Sequence, residues 1–160
     1  MYTVDQILRA FWDRTLPIDP IAIAKMLSVN IVTNDQLGYS GHFHFVQDAH
    51  GNQIPTITYN PSENPQRVRF TIAHELGHFI NGDQDSRRDT SFSFSIGNRD
   101  PREVAANRFA ADLLMPKGVV EYLIYEKRMT EIEELAEAFN VSVDAMYYRL
   151  VNLGLIHNAG

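Results

Sequence analysis

The pattern of apolar and polar positions predicts both helices and strands in the first third of the chain. From Val4 to about Arg14 the apolar residues follow helical spacing, and Asp19 with Pro20 opens a second short helix that runs to Leu27. Residues 29–33, 41–46 and 53–60 are predicted as strands, with a hairpin turn between the last two. Pro55 in the third strand indicates a sheet edge or a strand end.

The rest of the chain is predicted to be mostly helical. Asn64 and Pro65 begin a helix that Gly82 ends, and an alanine-rich helix begins at Asp100 and closes at Pro116. Three more helices follow over residues 117–127, 130–139 and 143–153, the middle one with a capping box from Thr130 and Glu133. Between the helix that ends at Gly82 and the one that begins at Asp100, the residues around Phe92 and Phe94 alternate like a short strand. These phenylalanines either contact a peptide or pack against the helices. The expected class is α+β, a small antiparallel sheet of about three strands packed on helices.

Composition narrows the class of protein and of site. The 160 residues suit one domain over positions 1–160, with 44% apolar and 21% charged residues. There is no cysteine, so a metal site has to be built from histidine and carboxylate. The net charge of −6 argues against nucleic-acid binding through the overall field. No apolar run is long enough for a membrane span and no signal peptide is recognisable, so a cytoplasmic location is expected.

The predicted helix around residue 74 carries the pattern HExxH. His74 and His78 are four residues apart, so both imidazoles lie on one face of the helix and can reach a single ion, for which Zn²⁺ is the best candidate. Glu75 lies beside the ion, where a carboxylate can take a proton from an activated water molecule. The alternative is that the two histidines merely face solvent on an amphipathic helix.

A catalytic zinc site ordinarily has three protein ligands, so one more is needed. Glu103, at the start of the alanine-rich helix, is the preferred third ligand, and Gly77 would ease the approach of that helix. On spacing alone the choice stays open. Asp100 and Glu103 also match a capping box, in which Glu103 would turn back to its own helix. The other candidates for the third ligand are Asp100, Asp112 and Asp83.

A second pair of histidines, His42 and His44, shares one face of a predicted strand. Such residues on a hairpin are more often solvated than bound to a metal. If they have a function, contact with substrate or with a developing oxyanion near the zinc is the expected one, and Tyr39 and Tyr59 are weaker candidates for the same role.

The C-terminal helices also allow a helix-turn-helix interpretation, with residues 143–152 as the reading helix. The charges count against DNA binding, because that helix offers a single cation, Arg149. The preceding helix would place four acidic residues near phosphate: Glu131, Glu133, Glu134 and Glu137. Packing against the rest of the chain is the preferred interpretation for residues 117–156.

Two motifs resemble the ImmA/IrrE family of metallopeptidases. These are RFTIAHELGH, which runs from Arg69 to His78, and the segment ExxANxFAAxLLMP, which begins at Glu103. The resemblance continues in looser form through residues 135–156. It implies a zincin-like fold in which His74, His78 and Glu103 hold zinc and Glu75 is the catalytic base. Asn107 or Asn81 is a hypothetical partner that would orient one of the ligands.

The resemblance also implies a biological setting. Members of the family are bacterial or carried by phages and mobile elements, and known members cleave Xre-type helix-turn-helix repressors. This chain resembles the compact form of the family, so we expect a selective endopeptidase acting on such a repressor or on an antitoxin. The competing classes are a zinc-binding regulatory or toxin-type partner that does not cut, and a DNA-binding regulator. No direct nucleic-acid or membrane partner is expected, and the sequence leaves the oligomeric state open.

Overall fold

The computed structural model describes residues 2–86 and 100–157 of the chain. The helices of these residues are α1 (Val4–Phe11), α2 (Pro20–Met26), α3 (Pro65–Ile80), α4 (Pro101–Leu114), α5 (Lys117–Tyr125), α6 (Ile132–Phe139) and α7 (Val143–Asn152). The strands are β1 (Asn30–Thr33), β2 (Gly41–Gln47) and β3 (Gln53–Tyr59). The α+β class is therefore confirmed. The predicted strand around Phe92 lies outside the described residues.

The three strands form one mixed sheet in the order β1-β3-β2. A tight turn after β2 makes β2 and β3 antiparallel, with Phe43 opposite Ile57. β1 pairs with the other side of β3 in the parallel direction, with Ile31 beside Ile57. The prediction of a wholly antiparallel sheet was wrong in this respect. Local turn signals fix only the hairpin, whereas the direction of β1 depends on which edge of the hairpin it meets.

Pro55 lies in the central strand and not in an edge strand, contrary to its simplest interpretation. It pairs with Phe45 of β2, but the pairing with β1 begins only at Thr56. A proline lacks the N–H that a second neighbour would need. Pro55 is tolerated because β3 has a partner on one side only at that position.

Two glycines allow the elements around α3 to approach it closely. A Cβ atom on Gly41 would lie 2.7 Å from the carbonyl oxygen of Thr58 and 2.9 Å from Cγ2 of Thr71. Gly41 thus brings β2 against α3. A Cβ atom on Gly77 would lie 3.0 Å from Cβ of Phe109. Gly77 thus allows α4 to pack closely against the same helix, as the sequence predicted.

Side chains from α1 through α7 form one contiguous apolar core. Its fully buried members include Ile7, Ile18, Ile57, Leu76, Leu113 and Met146. Helix α6 begins at Ile132 without a side-chain cap, so the capping box predicted from Thr130 and Glu133 was wrong. Among the described residues, no helix combines the length and apolar content required to cross a bilayer.

Two arginines, the half-buried Arg69 and the buried Arg149, hold the last two helices against the rest of the chain. The guanidinium of Arg69 on α3 donates hydrogen bonds to the carbonyl oxygens of Phe139 and Asn140, at 3.1 and 3.2 Å. Arg149 on α7 pairs with Asp112 of α4 at 2.8 Å and donates to the carbonyl oxygen of Met115 at 2.9 Å. The C-terminal helices are therefore packed against α3 and α4.

Candidate metal centre

Helix α3 carries the two histidines of the HExxH pattern on one buried face. Asn64 caps its start, since the Asn64 side chain accepts a hydrogen bond from the N–H of Gln66, and the helix continues without a break from Pro65 to Ile80. His74 is 2% exposed and His78 is fully buried. Their ring centroids lie 4.9 Å apart. The interpretation of these two residues as solvent-facing side chains is excluded by their burial.

Glu103, in the first turn of α4, lies between the two imidazole rings. Its Oε2 is 2.9 Å from Nε2 of His74, and its Oε1 is 3.1 Å from Nε2 of His78. Glu103 as a whole residue is 2% exposed. Asp100 caps α4 through the N–H of Arg102. Glu103 therefore faces the histidines and does not turn back onto its own helix, as a capping box would require.

The three side chains fit a metal ion. One ligand atom from each of His74, His78 and Glu103 lies within 4.8 Å of the others. The ligands of a tetrahedral Zn²⁺ lie about 3.3 Å from one another, since each is about 2.0–2.1 Å from the ion. Nε2 of His78 and Oε1 of Glu103 are buried and face each other without the angles of a hydrogen bond. A cation between them would satisfy both atoms. We call these three residues the metal cluster.

The turn that ends α3 places a second carboxylate behind His78. Gly82 has φ +85°, the N–H of Gly82 bonds to the carbonyl of Phe79, and the N–H of Asp83 bonds to that of His78. This is a Schellman ending, in which the glycine takes the left-handed conformation. It positions Oδ2 of Asp83 2.7 Å from Nδ1 of His78. Asp83 thus binds the ring nitrogen that faces away from the metal cluster.

Glu75 lies beside the metal cluster and is 1% exposed. Burial raises the pKa of its carboxyl group to about 8, although hydrogen bonds from the Ser86 hydroxyl and the Phe43 N–H act in the opposite direction. Ser86 is the last residue of the first described range, which covers positions 2–86. The contact of Glu75 with β2 could not be predicted from the HExxH pattern, because it depends on the packing of the sheet against α3.

The electrostatics of the metal-free cluster favour an ion pair. Burial alone would lower the pKa of His78, but the carboxylates of Glu103 and Asp83 outweigh it and raise that pKa to about 9. For Glu103, burial acts to raise the pKa, but the neighbouring imidazoles of His74 and His78 outweigh it, so the pKa falls well below its usual range. Without a metal, a proton on His78 balances the charge of Glu103.

The remaining predicted ligands and partners have other positions. Asp112 pairs with Arg149, Asp100 caps α4, and Asp83 contacts His78 from behind. Asn81 is exposed at the end of α3. Asn107 is partly buried one turn after Glu103, and its proposed orienting role stays a prediction. Of the four candidates for the third ligand, Glu103 is the one in the cluster.

The second histidine pair belongs to the other face of the sheet. His42 contacts the hydroxyl of Tyr39 through Nδ1 at 3.0 Å, and His44 contacts the hydroxyl of Thr58 through Nε2 at 3.0 Å. Between them, Phe43 packs on Phe79 of α3, with ring centroids 5.7 Å apart. Because successive side chains of a strand point to opposite faces, both histidines face away from α3. The geometry gives no support to an oxyanion role for these residues, and Tyr59 lies opposite Gly41 in the sheet.

The structure does not favour DNA binding by the C-terminal helices, because the arginine expected to contact phosphate is buried. Arg149, the single cation of the predicted reading helix, is 7% exposed and is engaged by Asp112 and Met115. The outer surface of α6 presents exposed acidic side chains: Glu131, Glu133, Glu134 and Glu137. Such a surface repels phosphate.

A comparison with protein families gives a match over most of the chain. The profile of the M78 peptidases, described as the IrrE N-terminal-like domain, matches residues 24–151. The chain belongs to this family. The matched region contains the metal cluster, Glu75 and both motifs that resembled ImmA/IrrE proteins.

Two curated relatives of this M78 peptidase family member are similar over part of their length. The radiation response metalloprotease IrrE of Deinococcus radiodurans is 35% identical over 99 residues, which cover 59% of this chain and 30% of the relative. IrrE of Deinococcus deserti is 34% identical over 99 residues, which cover 59% of this chain and 35% of the relative. The chain thus spans about a third of the length of these relatives.

Proposed function

We propose that this protein is a zinc-dependent endopeptidase in which His74, His78 and Glu103 hold the ion and Glu75 is the general base. The proposal depends above all on the approach of the Glu103 carboxylate to both imidazole rings, next to a buried glutamate. When bound, Zn²⁺ would supply a Lewis acid that polarises the peptide carbonyl, lowers the pKa of water and favours the ionised form of Glu75.

The residues of the chain have separate roles in this mechanism. Ionised Glu75 accepts a proton from the attacking water molecule and later donates it to the leaving amine. Asp83 accepts a hydrogen bond from Nδ1 of His78, which leaves Nε2 of that ring as the ligand atom. The two histidines and Glu103 carry one negative charge together, so the site keeps a net positive charge once the ion is bound.

The proposed substrate is a protein, an Xre-type repressor or an antitoxin in the cytoplasm. The support for it is the resemblance of both motifs to the ImmA/IrrE family, together with membership of the M78 peptidases. The acidic surface of α6 and the buried Arg149 do not favour direct action on DNA. A role as a zinc-binding partner without cleavage is the alternative that the following experiment would detect.

The test combines the zinc-loaded protein with candidate Xre-type repressors, beginning with any that is encoded beside its own gene. We expect one defined cut, identified by mass spectrometry, and no cut when a chelator has removed the ion. Stoichiometric binding of the repressor and of zinc without any cleavage would reject the peptidase proposal and support a regulatory partner.

The substitution Glu75→Gln tests the proposed base. It removes a proton acceptor without removing a metal ligand, so cleavage should fall by at least about a hundredfold while zinc binding is retained. The measurements are the cleavage rate and the zinc content of the purified variant. Glu137→Gln, which changes an exposed glutamate of α6, is the matched control and should cleave normally. Full activity of Glu75→Gln would refute the assignment.

A further inference from the structure

Ser86 pairs with the outer edge of β2. This strand is at the edge of the sheet, and the N–H and C=O of Phe43 point away from β3. The N–H of Ser86 donates to the carbonyl oxygen of Phe43 at 3.0 Å. The N–H of Phe43 donates to Oγ of Ser86 at 2.8 Å. Both outward backbone groups of Phe43 are therefore engaged by Ser86.

The hydroxyl of Ser86 also contacts the proposed base. It forms a hydrogen bond with the carboxyl group of Glu75, which the N–H of Phe43 contacts as well. A hydroxyl group has one proton to donate and two lone pairs that accept. Since Oγ already accepts from Phe43, its proton is available for an ionised Glu75. Ser86 thus connects β2 to the base.

The position of Ser86 follows from the elements around it. Gly41 allows β2 to pack against Thr71 of α3, which brings the strand alongside the helix that carries Glu75. Gly82 reverses the chain at the end of α3, and Asp83 is held by His78. Three residues later the chain meets β2. The turn at Gly82 therefore positions Asp83 against His78 of the metal cluster and Ser86 against the edge of the sheet.

A peptide substrate would need the backbone groups of Phe43 that Ser86 occupies at the edge of β2. The attacked carbonyl must lie close to Glu75, since a general base works within about 3 Å of the proton it accepts. The backbone groups of β2 that lie at Glu75 are those of Phe43, and an extended peptide can pair with such an edge. Gly41 and Phe45 have the same orientation as Phe43, because orientation repeats every two residues. No described residue outside the sheet pairs its backbone with theirs.

We propose that Ser86 is a positioning residue that holds Glu75 in the free protein, and that an extended peptide displaces it from the edge of β2. The inference builds on the proposed peptidase function. It implies that Ser86, while it is bound to β2, competes with a peptide for the same strand edge. Weakening its two contacts with Phe43 should therefore strengthen the binding of an extended peptide.

Hydrogen exchange tests the contact in the zinc-loaded full chain without any substrate. Ser86→Ala removes one acceptor of the Phe43 amide, the Ser86 hydroxyl oxygen, so exchange of that amide should accelerate about three- to tenfold, the range expected for one hydrogen bond. The His44 amide faces β3 and is the internal control. Ser62→Ala, at an exposed serine, is the matched control variant. Unchanged exchange at Phe43 would overturn the proposed contact.

Peptide binding tests the competition. The probe is an acetylated, amidated hexapeptide of alternating threonine and valine, titrated into the zinc-loaded protein and followed through the Phe43 and Phe45 amide signals. Ser86→Pro lacks both the hydroxyl and the N–H donor, so with two competing hydrogen bonds lost it should bind the probe about ten- to a hundredfold more tightly than the unmodified protein. Ser86→Ala, which keeps the N–H, should lie between the two.

The outcomes separate this inference from the proposed function. Equal affinity of all three proteins for the hexapeptide would reject the competition, even if the repressor is cleaved normally. Tighter binding by Ser86→Pro would support it, even if no repressor is cut. Cleavage of the repressor by Ser86→Ala provides a further readout: its KM should fall, whereas a merely structural defect would lower kcat or the yield of folded protein.

Discussion

The two histidine pairs of this protein show what a metal site requires beyond spacing. His74 and His78 lie one helical turn apart, and His42 and His44 lie two residues apart on a strand. The rings of the strand pair are even closer, with centroids 4.4 Å apart against 4.9 Å for the helix pair. Only the helix pair has a carboxylate between its rings within the described residues.

The difference comes from tertiary packing. Gly77 lets α4 approach α3, so the first turn of α4 delivers Glu103 to the two rings. The strand pair instead meets the hydroxyl groups of Tyr39 and Thr58 on the other face of the sheet. A hydroxyl group is neutral, so it does not compensate the charge of a divalent cation, whereas a carboxylate does. A histidine pair therefore becomes a candidate metal site when another element supplies an acidic side chain.

The largest expected effect comes from removing that acidic side chain. Glu103→Ala should weaken zinc binding about a hundred- to a thousandfold, since a structural site of about 10–16 kcal/mol divides this energy among four ligands. A competition assay with a chromophoric chelator measures the affinity. His44→Ala is the matched control, and it should leave the affinity unchanged. A large loss in His44→Ala instead would mean that the strand pair holds the ion.

A smaller effect is expected behind His78. Asp83→Asn should weaken zinc binding about ten- to a hundredfold, because the carboxylate at 2.7 Å orients the ring and increases its basicity. Asp85→Asn removes an exposed carboxylate two residues further on and controls for the lost charge. The same competition assay applies. If both variants bind zinc equally well, Asp83 has no orienting role.

The dependence on pH is expected to be the smallest effect when it is measured over a single pH unit. In the metal-free protein the pKa of His78 is raised to about 9, mainly because the carboxylates of Glu103 and Asp83 outweigh its burial. His78 is therefore protonated at pH 7, and the ion must displace that proton. From this residue alone, zinc affinity should rise about tenfold per pH unit and level off above pH 9. In Asp83→Asn the pKa of His78 falls, so the affinity should level off at a lower pH. Isothermal titration at several pH values measures this dependence.

Much of the fold could be predicted from local signals. The caps at Asn64 and Asp100, the glycine at 82 and the proline at 116 marked α3 and α4 closely. The parallel pairing of β1 could not be predicted in this way, because it depends on contacts distant in sequence. The start of α6 at Ile132 also differed from the prediction, because no side chain caps this helix.

The candidate site was predictable to a similar degree. The four-residue spacing of His74 and His78 places both rings on one helix face in any context. Spacing alone left Glu103 in competition with other acidic residues, and the packing of α4 on Gly77 separates them. Asp83 and Ser86 could not be given their positions from sequence, because both depend on the reversal at Gly82. The sequence Asn-Gly-Asp after a helix is the signal that indicates such a turn.

The most direct test of the account is anomalous diffraction at the zinc absorption edge from crystals of the zinc-loaded protein. The account predicts one peak per chain, within bonding distance of Nε2 of His74, Nε2 of His78 and the carboxylate of Glu103. A peak between His42 and His44, or no peak beside Glu103, would contradict it.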